Sequence, residues 1–195
     1  MLHYKRPKEE AAIIHHLETF PWVDEVIIQD HINGPNNADW GKFEGAMKAR
    51  NRIVYTNDDD MLIFNIGQIL STWDGIHCSI GMRQSHWGCY TNAPRGNHCA
   101  FESQIAWGSF WRPEWIDRMD PYFKLYPEKD RIFLNQSERV FTCMQLHEHR
   151  YTLLDYYEYP SATGEMAMYR QDDYNQQVEE IRRRIRETLR SIGKL

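Results

Sequence analysis

At 195 residues, with 13% aromatic residues and a formal charge of −5, the chain has the size and apolar content of one ordinary folded domain. This composition excludes a disordered chain, and the mild acidity argues against a globally basic nucleic-acid-binding surface while leaving room for a local basic groove. No apolar run reaches membrane-span length, MLHYKRPKEE holds no signal-peptide core, and the four cysteines (Cys78, Cys89, Cys99, Cys143) form no CxxC pair, so the expectation is a cytoplasmic protein with reduced thiols and no transmembrane segment.

In chain order, Leu2, His3 and Tyr4 read as a very short first strand ending at Lys5, Arg6 and Pro7. Ala11, Ile13, Ile14, Leu17 and Phe20 then mark one apolar helical face, stopped by Pro21. Residues 23–29 (VDEVIIQ) read as a second strand ending at Asp30, and the Asn-, Gly- and Pro-rich residues 31–40 as a loop. Phe43, Ala46, Met47 and Ala49 predict a helix over 40–50, leading to a β-branched and aromatic strand at 53–56. That order predicts an α/β fold, a Rossmann-like, mostly parallel sheet flanked by helices.

The strand at 53–56 runs into Asp58, Asp59 and Asp60. On an extended chain Asp58 and Asp60 share one side, and hard carboxylate oxygens there suit Mg²⁺ or Mn²⁺ with positions left for substrate phosphates. The alternative is an acidic turn. In open parallel sheets ligands bind beyond the carboxyl ends of strands. Lys5 and Arg6, Asp30, and the aspartate cluster all lie at such ends, a combination that suits a nucleoside diphosphate.

Further on, Ile63, Ile66, Ile69 and Leu70 predict a helix over 62–73, and residues 74–98 a glycine-rich stretch of short strands and loop. Trp107 and Trp111 flank Gly108, Ser109 and Phe110, where a glycine lets backbone approach a ligand between two indole walls. Residues 113–123 predict a helix stopping before Pro121, and 130–145 a helix carrying Glu138 about two turns after Asp130. His147 and His149 follow, two imidazoles that share a side of an extended segment. Arg83, Arg95, Arg112 and the arginines of the last segment offer a local basic rim. Val178, Ile181, Ile185, Leu189 and Ile192 make 172–195 an amphipathic helix, which either docks on the sheet or forms a homodimer seam. The domain reading is a compact catalytic unit over 1–165 and a C-terminal helix over 166–195.

The run from Lys5-Arg6-Pro7 through VDEVIIQD, the helix beginning Gly41-Lys42-Phe43-Glu44-Gly45-Ala46, and IVYTNDDDM resembles the nucleotide-sugar glycosyltransferases of GT-A fold, family 2-like and of compact bacterial or phage type. The resemblance covers about residues 1–150 and is strongest before Met61. It implies a metal-dependent transfer from a nucleoside-diphosphate sugar, a UDP-sugar first, to a hydroxylated acceptor. A glycan is favoured as acceptor, and a hydroxylated base of phage DNA is the alternative. It implies Mn²⁺ or Mg²⁺ on Asp58 and Asp60, completed by His147 or His149. Donor contacts would come from Lys5, Arg6, Asp30, Lys42, Asp58 and Asp59. Trp107, Gly108, Ser109 and Trp111 would lie on the acceptor side. The Glu-Asp pair that supplies the base in many inverting members has no match here; for an inverting transfer the resemblance makes Glu138, ahead of Asp130, the candidate base, and a retaining transfer requires none. Two other classes compete: a nucleotidyltransferase using nucleoside triphosphates, and a non-catalytic module binding a glycan or partner through aromatics.

Overall fold

The computed structural model describes residues 2–3, 7–30, 37–84, 104–146, 149–159 and 172–195. In order these form β1 (Leu2–His3), α1 (Pro7–Glu18), β2 (Gln29–Asp30), α2 (Trp40–Met47), β3 (Val54–Asn57), β4 (Met61–Ile63), α3 (Ile66–Ser71), β5 (Ser79–Met82), β6 (Trp107–Trp111), a 3₁₀ segment (Pro113–Met119), α4 (Asp120–Leu125), α5 (Arg131–Met144), β7 (Arg150–Leu153), β8 (Tyr156–Glu158) and α6 (Tyr174–Ser191). No helix among the described residues is long and apolar enough to cross a membrane.

The fold is mixed α/β, and it corrects the expectation of a mostly parallel sheet. The central sheet has the order β3-β6-β5-β7. β6 runs antiparallel to both β3 and β5, and only β5 and β7 are parallel. β4 and β8 form a separate antiparallel pair, and β1 and β2 a separate parallel one. Periodicity identified β3 correctly, but its hydrogen-bonded neighbour comes from about 50 residues later, which local pattern does not encode. The strand expected over 23–29 shortens to Gln29–Asp30. The helix expected over 62–73 splits, its first residues pairing with Tyr156–Glu158 as β4. Pro121 opens α4 instead of stopping a helix, because the first turn needs no proline N–H.

Successive residues of β6 serve opposite faces of the sheet, as strand geometry requires. Trp111 packs with Phe43 and Phe141 at ring distances of 5.5 and 4.9 Å, in the core beneath α2, α4, α5 and α6. Phe110 belongs to the second core, with Ile13 and Leu17 of α1, β4, and Ile66 and Ile69 of α3. Helices therefore cover both faces. Val178, Ile181, Ile185 and Leu189 of α6 are buried against the rest of the chain while Ile192 is exposed, so most of the stripe offered as a homodimer seam packs within the monomer. Cys78 and Cys143 are buried thiols.

Candidate functional site

β3 ends at Asn57, whose side chain shapes the turn into β4. Its Nδ2 donates to the carbonyl of Asp58 at 2.5 Å and to that of Met61 at 2.9 Å, while its Oδ1 accepts from the Tyr55 hydroxyl at 3.1 Å. Asp59 and Asp60 thus sit in a clamped turn between β3 and β4. This corrects the alternating, strand-like arrangement expected of the aspartates. Asp59 is buried, Asp60 half-buried, and the Asp60 carbonyl accepts from the Tyr159 N–H at 2.9 Å.

Asp58 turns toward α2, where its Oδ1 meets Lys42 Nζ at 2.8 Å. Lys42 is itself buried, and the same ammonium lies 2.5 Å from Glu138 Oε1 and 3.7 Å from Asp39 Oδ1. Glu138 Oε2 accepts the Ala106 N–H at 3.3 Å, and the Ala106 carbonyl accepts the Asp58 N–H at 3.0 Å. Asp58, Lys42, Glu138 and Ala106 therefore close a ring of four contacts drawn from β3's end, α2, α5 and the approach to β6. Thr56 Oγ1 donates to the Ile105 carbonyl at 2.8 Å and fixes the same approach.

The electrostatics follow from three carboxylates around one cation. Burial alone would lower the Lys42 pKa, but Asp58, Glu138 and Asp39 outweigh it and hold the ammonium protonated well above its ordinary range. Burial pushes Glu138 up, and the charge of Asp58 adds to this against the opposing pull of Lys42. Asp39 rises for the same reasons, burial first and then Glu138. A proton is thus readily held inside the cluster. Asp58 keeps 27% of its side chain exposed, against 16% for Asp39 and 2% for Glu138, so it is the most exposed carboxylate of the cluster.

Of the residues singled out from sequence, the fold joins Lys42, Asp58 and Glu138. Asp39 was missed, although its place three residues before Lys42 on a helix start is a spacing that brings side chains together. Lys42, expected to offer its charge to phosphates, is engaged with carboxylates instead. Asp130 is not in the cluster. Its Oδ1 accepts the Phe133 N–H at 2.9 Å as the N-cap of α5, and its Oδ2 pairs with Arg184 of α6 at 2.8 Å. Burial would raise its pKa, but Arg184 and the Phe133 N–H together hold it below the usual carboxylate range. The aromatic segment also departs from expectation. Trp111 is a core side chain whose Nε1 donates to Thr56 Oγ1 at 3.2 Å, and Ser109 is buried. Gly108, at φ +89°, is closely approached by the chain's own Tyr55 and Ile63, since a Cβ there would lie 2.7 Å from the Tyr55 hydroxyl and 2.8 Å from Ile63 Cδ1. Trp107 is half-buried under the Arg83 guanidinium, 4.7 Å from the ring centre.

The expected basic rim is largely neutralised. Arg83 pairs with Glu158, Arg112 with Glu114, and Arg182, Arg183 and Arg184 with acidic residues that include Glu179, Glu180 and Glu187. Arg95 lies outside the described residues, as do Lys5, Arg6 and His147, and only the backbone of Asp30 is described.

His149 is buried beside Tyr151 at the start of β7, with β6 and β5 between that strand and β3. Among the described residues no group of three or more His, Cys, Asp or Glu side chains is gathered as a metal shell. The donor chemistry fits a divalent ion in a narrower sense: Mg²⁺ and its analogues take one or two carboxylates and complete their shell with substrate phosphates and water. Asp58 and Asp60 are the carboxylates of the turn with exposed surface.

A cavity of about 390 Å³ lies beside the cluster, between residues 22–29, α2 and β3. Lys42, Thr56 and Asn57 reach its wall, which is otherwise mainly apolar. No protein-family model, curated protein or solved structure matches the chain.

Proposed function

We propose that this chain is a glycosyltransferase that moves a sugar from a nucleoside-diphosphate sugar, a UDP-sugar first, to a hydroxyl of an acceptor, with a glycan favoured. The observation that carries the reading is the joining of Asp58 and Glu138, remote in sequence, through one buried ammonium at the end of β3. The resemblance gives metal and base roles to these two carboxylates, and their closeness supports it.

Asp58 and Asp60 would hold Mn²⁺ or Mg²⁺ together with the donor diphosphate, and the bound ion supplies Lewis-acid neutralisation of the leaving diphosphate. Lys42 orients Asp58 and keeps Glu138 in place at the same time. In an inverting transfer the acceptor oxygen bonds to the anomeric carbon, the bond from that carbon to the diphosphate oxygen breaks, and the acceptor proton passes to Glu138. A base is most effective when its pKa approaches the working pH, and burial raises that of Glu138 in this direction. Asp130, spent on a helix cap and Arg184, is the weaker candidate.

The test is a thermal-shift screen of nucleoside diphosphates and UDP-sugars with and without Mn²⁺, followed by an assay for nucleoside diphosphate release. A shift that needs nucleotide and metal together is the expected result. Stabilisation by nucleoside triphosphates with pyrophosphate release would favour a nucleotidyltransferase, and no nucleotide response of any kind would remove the enzymatic reading.

A further inference from the structure

α5 is one helix by length and two by geometry. Gln136 lies inside it at φ −131° and ψ 16°, far from the about −63° and −42° of an α-helix. Glu138 is two residues further on, so the path of the chain through this break, and not the capped start at Asp130 alone, sets where its carboxylate goes. α5 contains neither proline nor glycine, the residues that commonly break a helix from within, so the break is held by what surrounds it. α6 grips α5 on both sides of it. Before the break, Asn135 Nδ2 donates to Gln177 Oε1 at 2.9 Å. After it, Arg139 Nη2 donates to the Tyr174 hydroxyl at 3.2 Å. Arg139 Nε donates to Gln136 Oε1 at 2.7 Å, which ties the residue after Glu138 back to the break itself. Asn135, Gln136 and Gln177 are buried, and amides taken out of water are fixed by the partners they keep. The Arg139 charge also acts on Asp39, against the effect of burial there, so this brace borders the carboxylate cluster.

We propose that Gln136, Arg139 and Tyr174 are positioning residues for Glu138, and that α6 serves the site as the splint holding α5 in its broken form. This role rests on the glycosyltransferase reading, in which Glu138 is the base, and adds the side chains that aim it. A base must meet the acceptor hydroxyl within hydrogen-bond reach, and a misplacement of about 1 Å costs about a hundredfold in rate. Lys42 holds Glu138 from the other side, but an ammonium is a compact charge that accepts a carboxylate from many directions. The planar guanidinium of Arg139 has fixed N–H directions, and two of them are taken by Gln136 and Tyr174. The Ala106 N–H reaches Glu138 Oε2 at 3.3 Å, a long bond that a small shift of α5 would break. The buried stripe of α6 docks the helix, while Tyr174 and Gln177 of its first turn grip the break in α5.

The experiment compares Arg139→Lys and Tyr174→Phe with Ile185→Val, all in the full chain. Ile185→Val loosens the buried packing of α6 without touching the brace. UDP release is followed below the unfolding temperature, from UDP-glucose or the UDP-sugar giving the largest thermal shift. The kcat should fall about tenfold in Arg139→Lys and about threefold in Tyr174→Phe, with the donor KM within about twofold. Ile185→Val should keep both constants despite a lower Tm. In a Glu138→Gln background neither brace substitution should lower kcat further, because the group being aimed is gone. Amide exchange at Ala106, measured by NMR, reads the place of Glu138 without turnover. It should quicken about fivefold in both brace variants and not in Ile185→Val. If Arg139→Lys fails to fold, Tyr174→Phe, which loses one hydroxyl, carries the test. Unchanged Ala106 exchange in the brace variants overturns the proposal, and so does a kcat that falls equally in Ile185→Val, since either makes the break a matter of packing alone. A wild type that releases UDP from no donor removes the glycosyltransferase reading instead, and Ala106 exchange then decides by itself whether the brace holds Glu138.

Discussion

Lys42 Nζ and Glu138 Oε1 meet at 2.5 Å across 96 positions of sequence, and both side chains are shut away from water. Desolvating two charges costs several kcal/mol per ion, which their attraction only partly returns, so a buried pair is a poor device for stability alone. A cluster with two further carboxylates is poorer still. Its persistence at the end of β3 is what points to chemistry.

Removing the cation exposes that balance. Lys42→Met should destabilise the protein by about 3–5 kcal/mol, because Asp58, Glu138 and Asp39 lose their common partner. Urea unfolding followed by tryptophan fluorescence measures this. A loss under about 1 kcal/mol would mean that the carboxylates share protons without needing the ammonium.

The second prediction concerns pH. Glu138 has its folded pKa raised above the ordinary value of about 4.3, by burial first. Above that value the folded chain retains a proton that the unfolded chain has released, so Glu138 makes stability fall as pH rises, up to the folded pKa. Glu138→Gln removes this slope. From about pH 4 upward, wild-type stability should decline relative to the variant until the folded pKa of Glu138 is passed, whatever the offset between them. Parallel stability curves across that range would remove the raised pKa.

Much of this site was legible in the chain, but its wiring was not. Asp58 stood out because carboxylates at a strand end are chemically conspicuous, and Glu138 is named, ahead of Asp130, through the family resemblance. Their bridge through Lys42 was hidden, since the resemblance assigns this lysine at a helix start to the donor phosphates and nothing local shows that the helix lies under the sheet. Trp111 misled in the opposite sense: an indole beside a glycine suits a ligand wall and a core equally, and burial against Phe43 and Phe141 decided it. The α5 and α6 helices were legible from periodicity and end within a few residues of expectation. The sheet order was not, because strand pairing across long loops leaves no local trace.

Asp130 gives a prediction that separates structure from catalysis. Asp130→Ala removes the α5 cap and the Arg184 partner, and should cost about 1–2 kcal/mol of stability. Because Asp130 belongs to the α5–α6 junction and not to the Lys42 cluster, the rate of nucleoside diphosphate release below the unfolding temperature should stay within about twofold of wild type. A loss of activity on the scale of a missing general base, about a hundredfold or more, would restore Asp130 as the proton acceptor.

The turn after β3 allows the metal role to be tested with two neighbouring variants. Asp58→Asn breaks a contact to a buried ammonium and should cost about 1–3 kcal/mol as well as metal-dependent nucleotide binding. Asp60→Asn is the complementary probe, because asparagine keeps the backbone carbonyl that accepts the Tyr159 N–H and changes only the charge of the side chain. Its stability should fall less than that of Asp58→Asn, since it leaves the buried Lys42 ammonium its contacts. The thermal shift produced by UDP with Mn²⁺ should nevertheless vanish in Asp60→Asn, since a neutral amide is a far poorer ligand for a hard cation than a carboxylate. If Asp60→Asn binds UDP and Mn²⁺ as the wild type does, Asp60 is a turn residue and no metal ligand.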